Sequence, residues 1–227
     1  IINLAGISGT TNQSQVGFEV NVIGSLNILE ACVKTKIKPV IFFSNSRQEY
    51  GVPQYLPVDE SHPPHPTNFY GVHKLAVTHL AQLYHQTYHL PTIVFRTSNV
   101  YGLSHAESSG YNIVNHWLRS KIITIFGTGK QLRDYVFVDD WIDAVIKALV
   151  NPKAYGQIFN IGYGQGSSLS VMAKTIAKST GAKIIHKPWP KNWQAVETGD
   201  YISDISKAQR ILHWQPSLDF SAGVKKI

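Results

Sequence analysis

Three short apolar runs, Ile1-Ile2-Asn3-Leu4, Val40-Ile41-Phe42-Phe43 and Thr92-Ile93-Val94-Phe95-Arg96, are separated by stretches that each hold one long helical pattern. This spacing constrains the fold more than any other feature. Parallel strands need a crossover of a dozen or more residues, and the usual crossover is a helix packed back on the sheet. Runs apolar at consecutive positions, without alternation, suit strands covered on both faces. The first intervening helix is expected over about 15–36, with Val20, Val22, Ile23, Leu26, Ile28, Leu29 and Val33 as its apolar surface. The second follows a proline-rich loop and continues from Tyr70 through Leu75, Leu80, Leu83 and Tyr84. Strands alternating with helices predict an α/β fold with a parallel sheet.

From about Leu103 the pattern becomes irregular. Helices are expected near 112–120, 139–149, 168–180 and 206–212, and extended segments at 122–126, 157–161 and 183–186. The economical reading is a Rossmann-like parallel sheet over 1–107 that lacks its first strands, followed by a smaller mixed α/β part over 108–227. Segments around 139–162 are expected to pack back on the first part. The chain opens on Ile1, without Met, inside an expected strand and ends as abruptly at Ile227, so it reads as a segment of a longer protein.

Composition narrows the function classes. A hydrophobic content of 43% over 227 residues supports a substantial core. No apolar run approaches the ~20 residues of a membrane span, and no basic, apolar leader opens the chain, so a soluble protein without a membrane partner is expected. The lone Cys32 sits in an apolar helical pattern, which excludes an internal disulfide and suits a reducing, cytoplasmic setting. A net charge of +7 permits phosphate or nucleic-acid binding, but Lys and Arg are dispersed without a run of five or six, so a nucleic-acid partner is not expected. The ten His residues show no ligand spacing, and no metal is expected. Asp139-Asp140 read as the N-cap and first-turn charges of the helix that follows.

Each apolar run ends in small or polar residues: Ala5-Gly6, Ser44-Asn45-Ser46 and Thr97-Ser98-Asn99. In open parallel sheets, ligands bind where strands end at their carboxyl termini, so these clusters should line one crevice. Ser44-Asn45-Ser46 is expected to break the second strand. Between the clusters in sequence lie Tyr70 and Lys74, four residues apart and so on one helix face. A helix start near Pro66-Thr67-Asn68, with Thr67 or Asn68 as cap, places Tyr70 in the first turn, where the positive terminus and the Lys74 ammonium favour a phenolate. Such a phenolate is a general base for a hydroxyl.

The order of these motifs resembles the extended short-chain dehydrogenase/reductase family, and within it the nucleotide-sugar epimerases and dehydratases. The segments are Asn3-Leu4-Ala5-Gly6, Asn21-Val22-Ile23-Gly24-Ser25-Leu26-Asn27-Ile28-Leu29-Glu30-Ala31, Phe43-Ser44-Asn45-Ser46-Arg47-Gln48-Glu49-Tyr50-Gly51, Tyr70 to Lys74, Arg96-Thr97-Ser98-Asn99-Val100-Tyr101-Gly102 and Arg133-Asp134-Tyr135-Val136-Phe137-Val138-Asp139-Asp140. The resemblance implies a catalytic set of Ser46, Tyr70 and Lys74, with hydride passing to NAD. It implies cofactor contacts from Leu4, Ala5, Gly6, Asn21, Ser44, Tyr70, Lys74 and Thr97. It assigns the nucleotide sugar to Ser46, Asn99, Asn112, Phe126 and Arg133, and implies a homodimer joined through the two long helices.

Several positions depart from the family pattern. No Gly-x-x-Gly-x-x-Gly loop is present; Gly127-Thr128-Gly129 comes too late, and Gly162-Tyr163-Gly164-Gln165-Gly166 reads as a turn. Most of the site for the adenine and pyrophosphate halves of NAD is therefore expected to be missing. Arg47 and Gln48 stand where the dehydratases carry an acid, which disfavours dehydration. Glu197 stands where many epimerases carry Arg, as does His105. Epimerisation by transient oxidation to a ketone is the preferred reading. A reductase or dehydratase of the same family, or a non-catalytic RNA-binding relative, is the alternative.

Overall fold

The computed structural model describes residues 1–8, 14–102, 113–191 and 197–227. Its first half runs β1 (Ile2–Asn3), α1 (Ser14–Phe18), a π turn (Glu19–Ile23), α2 (Gly24–Thr35), β2 (Ile41–Ser46), α3 (Phe69–Tyr88), β3 (Thr92–Thr97) and β4 (Asn99–Tyr101). There follow α4 (Ile113–Arg119), β5 (Ile122–Phe126), β6 (Leu132–Arg133), β7 (Tyr135–Phe137), α5 (Val138–Leu149), β8 (Gln157–Ile161), β9 (Ser167–Ser168), α6 (Leu169–Thr180), β10 (Lys183–Lys187), α7 (Ser206–Leu212) and α8 (Phe220–Lys226).

The three apolar runs become neighbours in a parallel sheet of order β1-β2-β3-β8. Alternation along the strands sorts their side chains between two faces. Phe42, Ile93, Phe95, Phe159 and Ile161 pack toward α5 and α7, while Ile41, Phe43 and Val94 pack with Leu29, Cys32, Val77 and Ala81 of α2 and α3. Phe42 and Phe95 meet edge to face at 4.8 Å, and Phe95 and Phe159 at 6.0 Å. Fully buried rings of this kind contribute roughly 1.5–3 kcal/mol each. A separate cluster, including Trp117, Ile123, Ile125, Met172 and Ile176, underlies α4, α6 and the β5–β10 pair.

Three expectations need correction. Ser44-Asn45-Ser46 does not break β2: the strand pairs with β3 through Ser46↔Thr97, and Asn45 turns to the α3 face, where its amide donates to Lys74 O and Thr78 Oγ1, both at 2.7 Å. Both N–H groups of this buried amide are thereby paired, while its oxygen accepts no hydrogen bond among the described residues. Asp139 and Asp140 are first-turn charges of α5, as expected, but neither caps it, since the N-cap position is Phe137; Asp140 accepts from Ser217 N, Ser217 Oγ and Leu218 N, and Asp139 pairs with Lys226. Finally, the continuous helix Ser14–Thr35 has the length and apolar composition of a membrane span. Here its residues Gly17, Asn21, Val22, Ser25, Leu29 and Cys32 are buried in the fold.

Candidate active site

The end of β2 and the first turns of α3 create the site. Ser46 closes β2 in extended backbone, and its Oγ accepts from Gln48 N at 3.2 Å, so the chain turns sharply away from the sheet. Asn68 is the N-cap of α3: its side-chain oxygen accepts from Gly71 N at 2.8 Å, and its amide donates to Gln48 Oε1 at 3.0 Å. The cap thus fixes the helix start and ties it to the turn after Ser46. Gly71 is required there, because a Cβ would come within 2.4 Å of Gln48 O. Tyr70, in the first turn and half-buried, hydrogen-bonds Ser46.

Lys74 follows one turn later. It is 8% exposed, its Nζ donates to Ser44 O at 2.6 Å, and it lies 5.7 Å from the centre of the Tyr70 ring. Burial lowers its pKa to about 8, partly opposed by the Glu49 carboxylate. Burial also pushes the Tyr70 phenol up to about 12; the Ser46 hydrogen bond works against this and Glu49 adds to it. The phenol is therefore raised and not depressed as a neighbouring ammonium would make it, because desolvation is the largest influence on it.

The loop after β1 completes this side. Leu4, Ala5 and Gly6 are exposed, and a Cβ at Gly6 would stand 3.2 Å from Asn21 Oδ1 and 3.6 Å from Lys74 Nζ. Asn21 lies in the π turn and is buried; it accepts from Ile7 N at 2.7 Å and donates to Ile7 O at 2.9 Å, holding the loop by both ends of one amide. Thr97, at the end of β3, accepts from Trp141 Nε1 at 3.0 Å.

The other expected substrate residues lie along the continuation of the sheet. Asn99 donates to Asp134 O at 3.1 Å. Arg133 is 8% exposed and gives its guanidinium to Glu197, to Gly199 O and to Leu132 O. Asp134 does not pair with it: this fully buried carboxylate accepts from Tyr163 N, Gly164 N and Ser203 N. Gly162 allows that wrap, since a Cβ would meet Asp134 Oδ2 at 2.2 Å, so the glycine-rich segment is a turn around a carboxylate. Phe126 ends β5, 5.8 Å from the Trp189 ring. Asn112 and His105 lie outside the described residues.

Sequence reasoning missed a buried polar layer beneath Tyr70 and Lys74. Thr78 donates to Glu49 at 2.9 Å, and Arg96 pairs with the same Glu49 oxygen at 2.8 Å while its Nη1 donates to Tyr50 Oη at 3.1 Å. Thr78 stands four residues after Lys74, a spacing that could have found it. Arg47 was weighed only as a replacement for an acid, yet it is buried at 7% exposure and stacks 4.9 Å over the Tyr201 ring.

Comparison with known proteins identifies the family. The profile of the NAD dependent epimerase/dehydratase family matches residues 1–162. The UDP-glucose 4-epimerase of Mycolicibacterium smegmatis is 31% identical over 91% of this chain, which spans 66% of that relative's length. Among solved structures, UDP-glucose 4-epimerase from Thermotoga maritima with UDP-glucose superimposes at a TM-score of 0.89, with 29% identity over 99% of this chain and 74% of its own. UDP-glucuronic acid 4-epimerase from Bacillus cereus, in complex with UDP-glucuronic acid and NAD, superimposes at 0.84, with 30% identity over 98% of this chain and 71% of its own. On the family match and these relatives, the chain belongs to the NAD-dependent epimerase/dehydratase family.

Proposed function

We propose that this chain carries the reaction centre of an NAD-dependent nucleotide-sugar epimerase. The observation that carries the reading is the convergence of Ser46, Tyr70 and Lys74 at the carboxyl end of β2, beside the exposed Ala5-Gly6 loop. These residues fit the nicotinamide half of the cofactor: Gly6 leaves room for close approach, and Lys74 keeps N–H groups beyond the one given to Ser44 O. NAD, when bound, supplies the hydride acceptor and a cationic ring that favours the Tyr70 phenolate. Tyr70 takes the proton of a sugar hydroxyl that Ser46 orients, as the carbon bearing it loses hydride and becomes a ketone. Return of hydride to the opposite face and of the proton to oxygen gives a product isomeric with the substrate.

Arg47 and Gln48 support epimerisation over dehydration. Gln48 has no acidic proton and is committed to Asn68, and a guanidinium cannot act as the acid that expels water. Asn99, Asn112 and Arg133 are assigned to the nucleotide diphosphate, and Phe126 to the substrate. We divide the chain at 107/108 into a cofactor part and a substrate part, and assign dimerisation to the helices bearing Asn21 and Lys74. The test is turnover of UDP-glucose with NAD, read by NMR for an isomeric product. Tyr70→Phe is expected to lose roughly 10²–10⁴ of the rate while still binding nucleotide sugar; full turnover by that variant would sink the assignment.

A further inference from the structure

Arg47 is a buried cation with no anion of its own. It is 7% exposed, and among the described residues its guanidinium makes one hydrogen bond, to Thr198 Oγ1 at 3.1 Å, and no ion pair. It also stacks on Tyr201, with Tyr135 and Glu197 near enough to act on its charge. The neighbouring cation, Arg133, has taken the local carboxylate: Glu197 closes on it, and Arg133 also grips Gly199 O on the same loop. Two guanidiniums therefore share one carboxylate. Burial and then the repulsion of Arg133 hold the Arg47 pKa below its ordinary value. Buried charges are ordinarily paired, and one left unpaired beside a reaction centre points to a charge that arrives with a ligand.

The position of Arg47 says which part of the ligand. It directly follows Ser46, whose hydroxyl meets Tyr70, and its guanidinium reaches the 198–201 loop that also holds Arg133. It thus joins the segment that carries the reacting hydroxyl to the loop that holds the group assigned to the diphosphate, the two ends of the substrate between which the body of the sugar would lie. A planar guanidinium matches a carboxylate through two parallel N–H bonds. We propose that Arg47 is a specificity-determining residue that receives a carboxylate on the sugar, so that the substrate is a nucleotide-linked uronic acid in preference to a neutral hexose. This rests on the nucleotide-sugar reading above and adds the class of sugar.

The test is calorimetric titration of the chain with UDP-glucuronate, UDP-glucose and UDP, with NAD present throughout. The unaltered chain is expected to bind UDP-glucuronate more tightly than UDP-glucose. Arg47→Gln is expected to shrink the ratio of these two affinities by roughly ten- to hundredfold, the scale of a lost charged hydrogen-bonded pair. Arg47→Lys, which keeps the charge but not the fork, should restore part of the ratio and so separate lost charge from lost packing on Tyr201. Equal affinities in the unaltered chain, or an unchanged ratio in a folded Arg47→Gln protein, overturn the proposal. So does an equal loss for all three ligands, which would assign Arg47 to the diphosphate. A folded chain that binds none of the three overturns the nucleotide-sugar reading itself.

Discussion

Lys74 and Tyr70 are both driven toward neutrality by burial, the opposite of what the proposed reaction needs from them. Lys74 is expected to titrate near pH 8, more than two units below a free lysine. The pH dependence of its acetylation, followed by mass spectrometry against surface lysines, checks this; a midpoint at 10 or above contradicts it. The sign of the linkage follows. Between about pH 8 and 10.5 the unfolded chain binds more protons at Lys74 than the folded one, so this group's contribution to stability rises with pH across that window. Tyr70 acts in the other direction from pH 10 to about 12, where the folded phenol keeps a proton that the unfolded one has lost. Tyr70 and Lys74 were legible in the sequence because four-residue spacing is a local property. Glu49 was not: its partners Thr78 and Arg96 lie 29 and 47 residues away, and only the fold brings them together.

At the scale of elements, α3 positions the site through its first turn. Asn68→Ala removes the cap and its link to Gln48 together, with an expected loss of about 1 kcal/mol in urea unfolding. Turnover should fall by more than that loss explains, because Tyr70 lies in the turn that frays; a variant with lowered stability and unaltered turnover per folded molecule would separate the cap from the site. The long helices were legible because their hydrophobic period extends over enough residues, and the first three strands of the main sheet because each lies in a continuous apolar run. The β4, β6, β7 and β9 strands have two or three residues each, too few to display any period. Arg133 was picked out by resemblance, but its commitment to Glu197 depends on a return of the chain 64 residues later, which no local pattern announces.

Across the whole molecule, the helices that carry Asn21 and Lys74 leave an apolar surface uncovered: Val16, Val20 and Ile23 on one, Phe69, Val72 and Leu83 on the other, all at least 38% exposed. The homodimer proposed for this face should appear in sedimentation velocity at micromolar concentration. Leu83→Glu, 55% exposed and several turns from Tyr70, should give a folded monomer, whereas an unaltered chain that is monomeric throughout would remove the proposal. The π turn at Glu19–Ile23 has a further consequence for how this helix can vary. A π turn contains one residue more than an α turn, which offsets the two flanking segments by about 100° around the axis. Gly17 can therefore sit against His73 while Leu29 and Cys32 enter the core, with Asn21 aimed at Ile7 between them. The residue count of the turn is thus part of its message: deleting a single position would re-phase half the helix, a change that no substitution elsewhere along it could reverse.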